Sequence, residues 1–101
     1  MPFLKAGRVS EFPSGSVTEV SIGEFVCAVS NAGGTIHAVA GVCPHRGAPL
    51  GQGAVHGHTL VCPWHAWEWD CRTGQSLHYP DLKLARYEVK VEDGDVLIEV
   101  P

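Results

Sequence analysis

Short runs of alternating apolar and polar residues, rich in Val, Ile, Thr and aromatic side chains, recur toward both ends of this chain. Period-two alternation sets one side of a strand on a core and the other toward water. Residues 3–9, 17–22, 24–29 and 35–39 read as strands, punctuated by Ser14-Gly15-Ser16 and Ile22-Gly23-Glu24. Asn31-Ala32-Gly33-Gly34 reads as a hairpin turn into the fourth run. Residues 87–91 and 96–100 flank Glu92-Asp93-Gly94-Asp95, a second hairpin whose Gly can take positive φ. No segment keeps a helical period for more than a turn or two. The pattern predicts an all-β chain built on a small antiparallel β-barrel or sandwich.

Residues 42–81 break the alternation. That stretch holds all three Trp and three of the four Cys, so it reads as an inserted site of two loop hairpins. With 101 residues, 45% of them hydrophobic and 18% charged, residues 1–101 form one folded domain with a modest core. The formal charge of −4 argues against nucleic-acid binding, which needs clustered Lys and Arg, and suits docking on a basic protein patch. No apolar run approaches membrane-spanning length, and the first residues lack a hydrophobic signal core. A cytoplasmic protein with no membrane partner is expected.

The chemistry lies in Cys43-Pro44-His45 and Cys62-Pro63-Trp64-His65, with sixteen residues between them. Each segment offers one thiolate and one imidazole from a tight, proline-stiffened loop. This mixed spacing suits a two-iron, two-sulfur cluster, with Cys43 and Cys62 on one iron and His45 and His65 on the other. Two ferric irons, two sulfides, two thiolates and neutral imidazoles sum to zero charge, whereas a four-thiolate cluster starts two units more negative. An added electron is therefore held more easily here. A tetrahedral Cys2His2 zinc site is the main structural alternative, but zinc fingers pair Cys with Cys and His with His. Gly47, Pro49 and Gly51 suit a chain turning tightly past such a site. Cys27 lies in an apolar run and reads as a buried, inert thiol, while Cys71 is ambiguous. His37 reads as a strand residue, His56 and His58 as turn residues about Gly57, and His78 as a neighbour of the site.

On these residues the chain resembles the Rieske ferredoxin family. The matching stretches are Cys43–Gly51, Cys62–Asp70 and Arg72-Thr73-Gly74, and the β pattern on either side extends the likeness to nearly the whole chain. The resemblance implies a cluster-binding subdomain, approximately residues 42–81, set on a β-barrel base. It also implies His ligands bound through Nδ1 at the protein tip. Respiratory members carry an extra Cys in each loop, joined as a disulfide; Ala48 and Trp64 stand there, which favours the oxygenase-associated branch. Ala66 replaces a frequent Gly after the second His. Members of highest potential place Ser and Tyr hydroxyls where this chain has Trp67 and Trp69. A potential in the lower half of the family's range, about −150 to +300 mV, is expected.

The function implied is that of a one-electron carrier, not itself an enzyme. It would take electrons from a flavin-dependent reductase and deliver them to the terminal oxygenase of a multicomponent aromatic-ring dioxygenase. The alternatives are the small Rieske subunit of a cytoplasmic nitrite reductase, or a stand-alone Rieske protein. Trp64, between ligand positions, could contribute to a docking surface, and Arg46 could meet an acidic group of a partner.

Overall fold

The structure is a computed structural model that describes residues 3–44, 47–64 and 66–100. Its strands are β1 (Phe3–Arg8), β2 (Val17–Ile22), β3 (Phe25–Ala32), β4 (Thr35–Ala40), β5 (Ala54–His56), β6 (Thr59–Val61), β7 (Glu68–Asp70), β8 (Arg86–Glu92) and β9 (Asp95–Glu99). Six of them make one antiparallel sheet in the order β1-β9-β8-β4-β3-β2, and its edge strands β1 and β2 approach each other. The sheet is thus a nearly closed barrel, as the alternation predicts. Asp93 and Gly94 both take positive φ, 53° and 80°, in the tight turn between β8 and β9.

Strand β3 is buried on both faces. Cys27 and Val29 pack inside the barrel with Phe12, Ile22, Ala38 and Ile98. Ala28 and Ala32 face the other way, onto Leu50, Leu60, Trp69 and Leu84. A strand covered on both sides has no polar face, hence its continuous apolar run. β3 also runs to Ala32, past the predicted boundary at residue 29. Asn31, read as a turn residue, lies in the strand with its side chain satisfied: Nδ2 donates to the Phe12 carbonyl at 2.7 Å, and Oδ1 accepts from the Gly34 N–H at 2.8 Å.

The inserted segment is more regular than expected. It carries a second antiparallel sheet, in the order β5-β6-β7, with Leu60 opposite Trp69. A 3-10 turn at Leu50–Gln52 rests on β2, with no room for a side chain at Gly51: a Cβ there would lie 2.5 Å from Glu19 Cα. Leu50, Leu60 and Trp69 are fully buried between the barrel and this small sheet. Burial on that scale is worth about 1.5–3 kcal/mol for each large apolar side chain. The described residues include no helix long and apolar enough to cross a membrane.

Candidate metal centre

Two loops of matched construction carry the cysteines. Cys43 donates its N–H to the Ala48 carbonyl at 2.9 Å, and Cys62 donates to the Trp67 carbonyl at 2.8 Å, each five residues on. In each loop the residue four past the Cys is left-handed: Gly47 at φ 72°, Ala66 at φ 55°. A Gly47 N–H to Cys43 carbonyl bond at 2.8 Å and a bridge between Val42 and Pro49 tighten the first loop. The second continues β6 and returns as β7. Ala66 therefore holds the turn that a Gly would make, at a steric cost of about 1–2 kcal/mol.

These loops bring the two cysteines together. Cys43 and Cys62 are both buried, both free, and their thiols lie within hydrogen-bonding reach of each other. Burial pushes the Cys62 thiol up, while the backbone N–H of Trp64, directed at its sulfur, works in the opposite sense. Two converging, unbridged sulfurs served by a backbone donor are a donor set suited to one iron. His45, Arg46 and His65 lie outside the described residues. Among the described residues no three His, Cys, Asp or Glu side chains gather as a metal site.

Around the cysteines, Trp67 lies against Tyr79 with ring centroids 4.8 Å apart. His78 Nε2 is 3.0 Å from Glu68 Oε1, so His78 does border the loop pair. The sequence reading placed His78 near the site but missed its carboxylate partner, because β7 and the 76–79 turn are joined by a Leu77 N–H to Glu68 carbonyl bond that no local pattern announces. Trp64 is 46% exposed, and Val42, Leu77 and Tyr79 are similarly open. Trp69 is wholly buried, and its indole N–H has no acceptor among the described residues.

The remaining candidates fall outside this group. Cys27 is buried inside the barrel, and burial pushes its thiol up. Cys71 is buried on the opposite side of β3; burial raises its thiol too, against a hydrogen bond with Ser30. Both are free thiols. His37 is half-buried on β4, and burial, then the Arg86 charge, lower its pKa. His56 ends β5, and His58 follows Gly57 in the turn to β6.

With this geometry in hand, the comparisons are specific. The family model of the Rieske [2Fe-2S] domain matches residues 3–88. The chain belongs to the Rieske [2Fe-2S] domain family and binds one [2Fe-2S] cluster. It is 33% identical over 100 residues to the 3-phenylpropionate/cinnamic acid dioxygenase ferredoxin subunit of Escherichia coli (strain K12), covering 97% of this chain and 93% of that one. It is 35% identical over 82 residues to the 4beta-methylsterol monooxygenase of Methylococcus capsulatus, covering 71% of this chain but only 22% of that protein. Among solved structures, the ferredoxin of Sphingomonas yanoikuyae B1 superposes with a TM-score of 0.90 at 28% identity, covering 99% of this chain and 100% of that one. A chain from the complex of reduced oxygenase and oxidized ferredoxin in carbazole 1,9a-dioxygenase gives 0.87 at 28% identity, covering 95% and 91%. A chain described as an NADH-dependent nitrite reductase small subunit of Mycobacterium tuberculosis, at 21% identity, a TM-score of 0.89 and coverage of 99% and 96%, shares the fold.

Proposed function

We propose that this protein carries single electrons from a flavin-dependent reductase to the terminal oxygenase of a multicomponent aromatic-ring dioxygenase, in the cytoplasm and without itself making or breaking substrate bonds. The observation that carries the reading is the convergence of Cys43 and Cys62, two buried free thiols at the roots of matched loops. Support for the partners comes from likeness, over nearly the full length of both chains, to a dioxygenase ferredoxin subunit. Cys43 and Cys62 hold one iron; His45 and His65 hold the other. When bound, the cluster supplies reversible one-electron uptake at a potential in the lower half of about −150 to +300 mV. Residues 42–81 present it, and the barrel serves as a rigid base. Buried apolar packing around both cysteines keeps water from the sulfurs. The encounter with each partner is small in area, so that the carrier leaves after transfer.

Cys43→Ala is expected to abolish the visible sulfide-to-iron bands. His45→Cys is expected to keep a cluster but lower its potential, because a thiolate adds negative charge. A full-intensity spectrum in Cys43→Ala overturns the ligand assignment. Stopped-flow mixing of the reduced holoprotein with candidate oxygenases tests the role. Stable co-purification with a sirohaem chain would instead mark the protein as a nitrite reductase subunit.

A further inference from the structure

We propose that the cleft where β4 and β8 part is a second binding site, taking a small carboxylate with an apolar body. The two strands pair at only two positions, Ala38 opposite Tyr87 and Val39 opposite Arg86. The register stops short of His37 and Glu88: from there β4 keeps to β3 and β8 keeps to β9. The opening holds a cavity of about 200 Å³. It lies apart from the metal centre, since His58, in the turn before β6, is its neighbour, whereas Cys62 follows the other end of that strand. An apolar cavity of about 150 Å³ is enough for benzene, so this one has room for a ring and its carboxylate.

Strand alternation gives the cleft two unlike parts. Ile36, Tyr87 and Val89 point inward and pack against the barrel core, which makes the floor apolar. Thr35, His37 and Arg86 lie on the outer faces of the same strands and form the rim. Arg86 donates through Nε to the Arg72 carbonyl at 3.0 Å and through Nη1 to Glu88 Oε1 at 2.9 Å, which leaves Nη2 without an acceptor among the described residues. The Glu88 pair is exposed to solvent and therefore weak. His37 has no hydrogen bond or ion pair among the described residues. Positive groups outnumber negative ones around it. Arg86 on β8, His58 before β6 and Arg72 after β7 stand against the Asp70 carboxylate, which Arg72 already holds. This is a basic hollow on a chain of net charge −4. An apolar floor with a few convergent donors at its mouth is how small-molecule sites are built. A carboxylate completes the rim, and its apolar body covers the floor. Burial, then the Arg86 charge, hold His37 toward neutral imidazole, whereas a bound anion favours the protonated ring. Binding and protonation therefore help each other, and affinity rises as pH falls through the His37 pKa.

The test titrates the oxidised holoprotein with benzoate and follows backbone amides by nuclear magnetic resonance. The amides of Ile36, His37, Tyr87 and Val89 should shift and saturate, with a dissociation constant of about 1 mM or less. Benzyl alcohol lacks the charge and inorganic phosphate lacks the apolar body, so each should bind at least about tenfold more weakly. Lowering the pH from about 8 to about 5.5, where a carboxylate stays ionised, should tighten benzoate binding about threefold. Arg86→Gln should weaken it about tenfold. Because that change also removes the bond to the Arg72 carbonyl, Glu88→Gln supplies an independent check. It releases an Arg86 donor without touching the floor and should tighten binding about twofold to threefold. The proposal is overturned by the absence of a saturable shift at about 20 mM benzoate. It is equally overturned by phosphate or benzyl alcohol binding as tightly as benzoate, by an affinity that does not change over that pH range, or by an unchanged affinity in both variants.

Discussion

Gly47 and Ala66 occupy the same step of two matched loops, yet only one is free of a Cβ. The strain at Ala66 is about 1–2 kcal/mol, and glycine's greater freedom in the unfolded chain returns about half of the gain. Ala66→Gly should therefore stabilise the protein by about 1 kcal/mol, read as a higher urea midpoint at unchanged slope, while Gly47→Ala should shift it down by a similar amount. Equal midpoints would mean that Ala66 is not strained. Asp70 offers a second check, through pH. Its carboxylate accepts from the Arg72 backbone N–H at 2.8 Å, from Nε at 3.0 Å and from Nη2 at 2.9 Å. Those bonds hold its pKa below the ordinary 3.8, against the opposing effect of burial. A depressed carboxylate contributes stability above its unfolded pKa and loses it as pH falls through the lower folded value. Arg72 is half exposed, so Asp70→Asn should cost about 1 kcal/mol or less at neutral pH. The gap between variant and wild type should narrow as pH falls below the ordinary carboxylate value and close once it passes the lower folded one. Cys43 and Cys62 were legible as candidate ligands because chemistry restricts which side chains hold iron. The left-handed Ala66 was not, since only the backbone reveals that an alanine does a glycine's work.

At the scale of elements, legibility followed length. β2 matches its predicted bounds of 17–22 because Thr18, Val20 and Ile22 alternate with exposed Glu19 and Ser21 over enough residues to show a period. β5, β6 and β7 have three residues each, too few for any period, and they form only because pairing, buried Leu60 and Trp69 and the loop-closing bonds act together. Likewise, β3 outran its forecast because Asn31, a turn former by local habit, finds the Phe12 carbonyl 19 residues away. The 3-10 turn at Leu50–Gln52 couples the inserted segment to the barrel through Gly51, which meets β2 at backbone distance. Adding a methyl there forces the turn off β2, since Glu19 Cα cannot yield as a flexible side chain could. Gly51→Ala should destabilise the protein by about 2–3 kcal/mol, comparable to overpacking a core. It should also displace the turn that follows the first cysteine loop, so the variant should release its iron to a chelator faster than wild type. Unaltered stability would show that the turn is not pressed against β2.

For the molecule as a whole, the question is how the proposed carrier recognises partners and still lets go. Charge and apolar surface divide that task. A net charge of −4 steers the chain toward basic surfaces over distances of about a Debye length, and added salt weakens this long-range attraction. Contact is a separate matter. Trp64, in the second cysteine loop, and Val42, next to Cys43, leave large apolar side chains in water beside the metal centre, and Tyr79 does so against Trp67. A folded protein gains nothing from exposing a tryptophan there, whereas a transient interface gains an anchor that excludes water at its centre. Trp64→Ala should thus slow electron transfer to the proposed oxygenase partner about tenfold, equivalent to roughly 1.4 kcal/mol of lost contact. The reduction potential and urea midpoint should stay where they are, because the side chain packs against little of the core. Raising ionic strength should slow wild type and variant by the same factor, since steering does not depend on the anchor. A variant whose transfer rate equals that of wild type at every salt concentration would remove Trp64 from the interface and leave docking to charge alone.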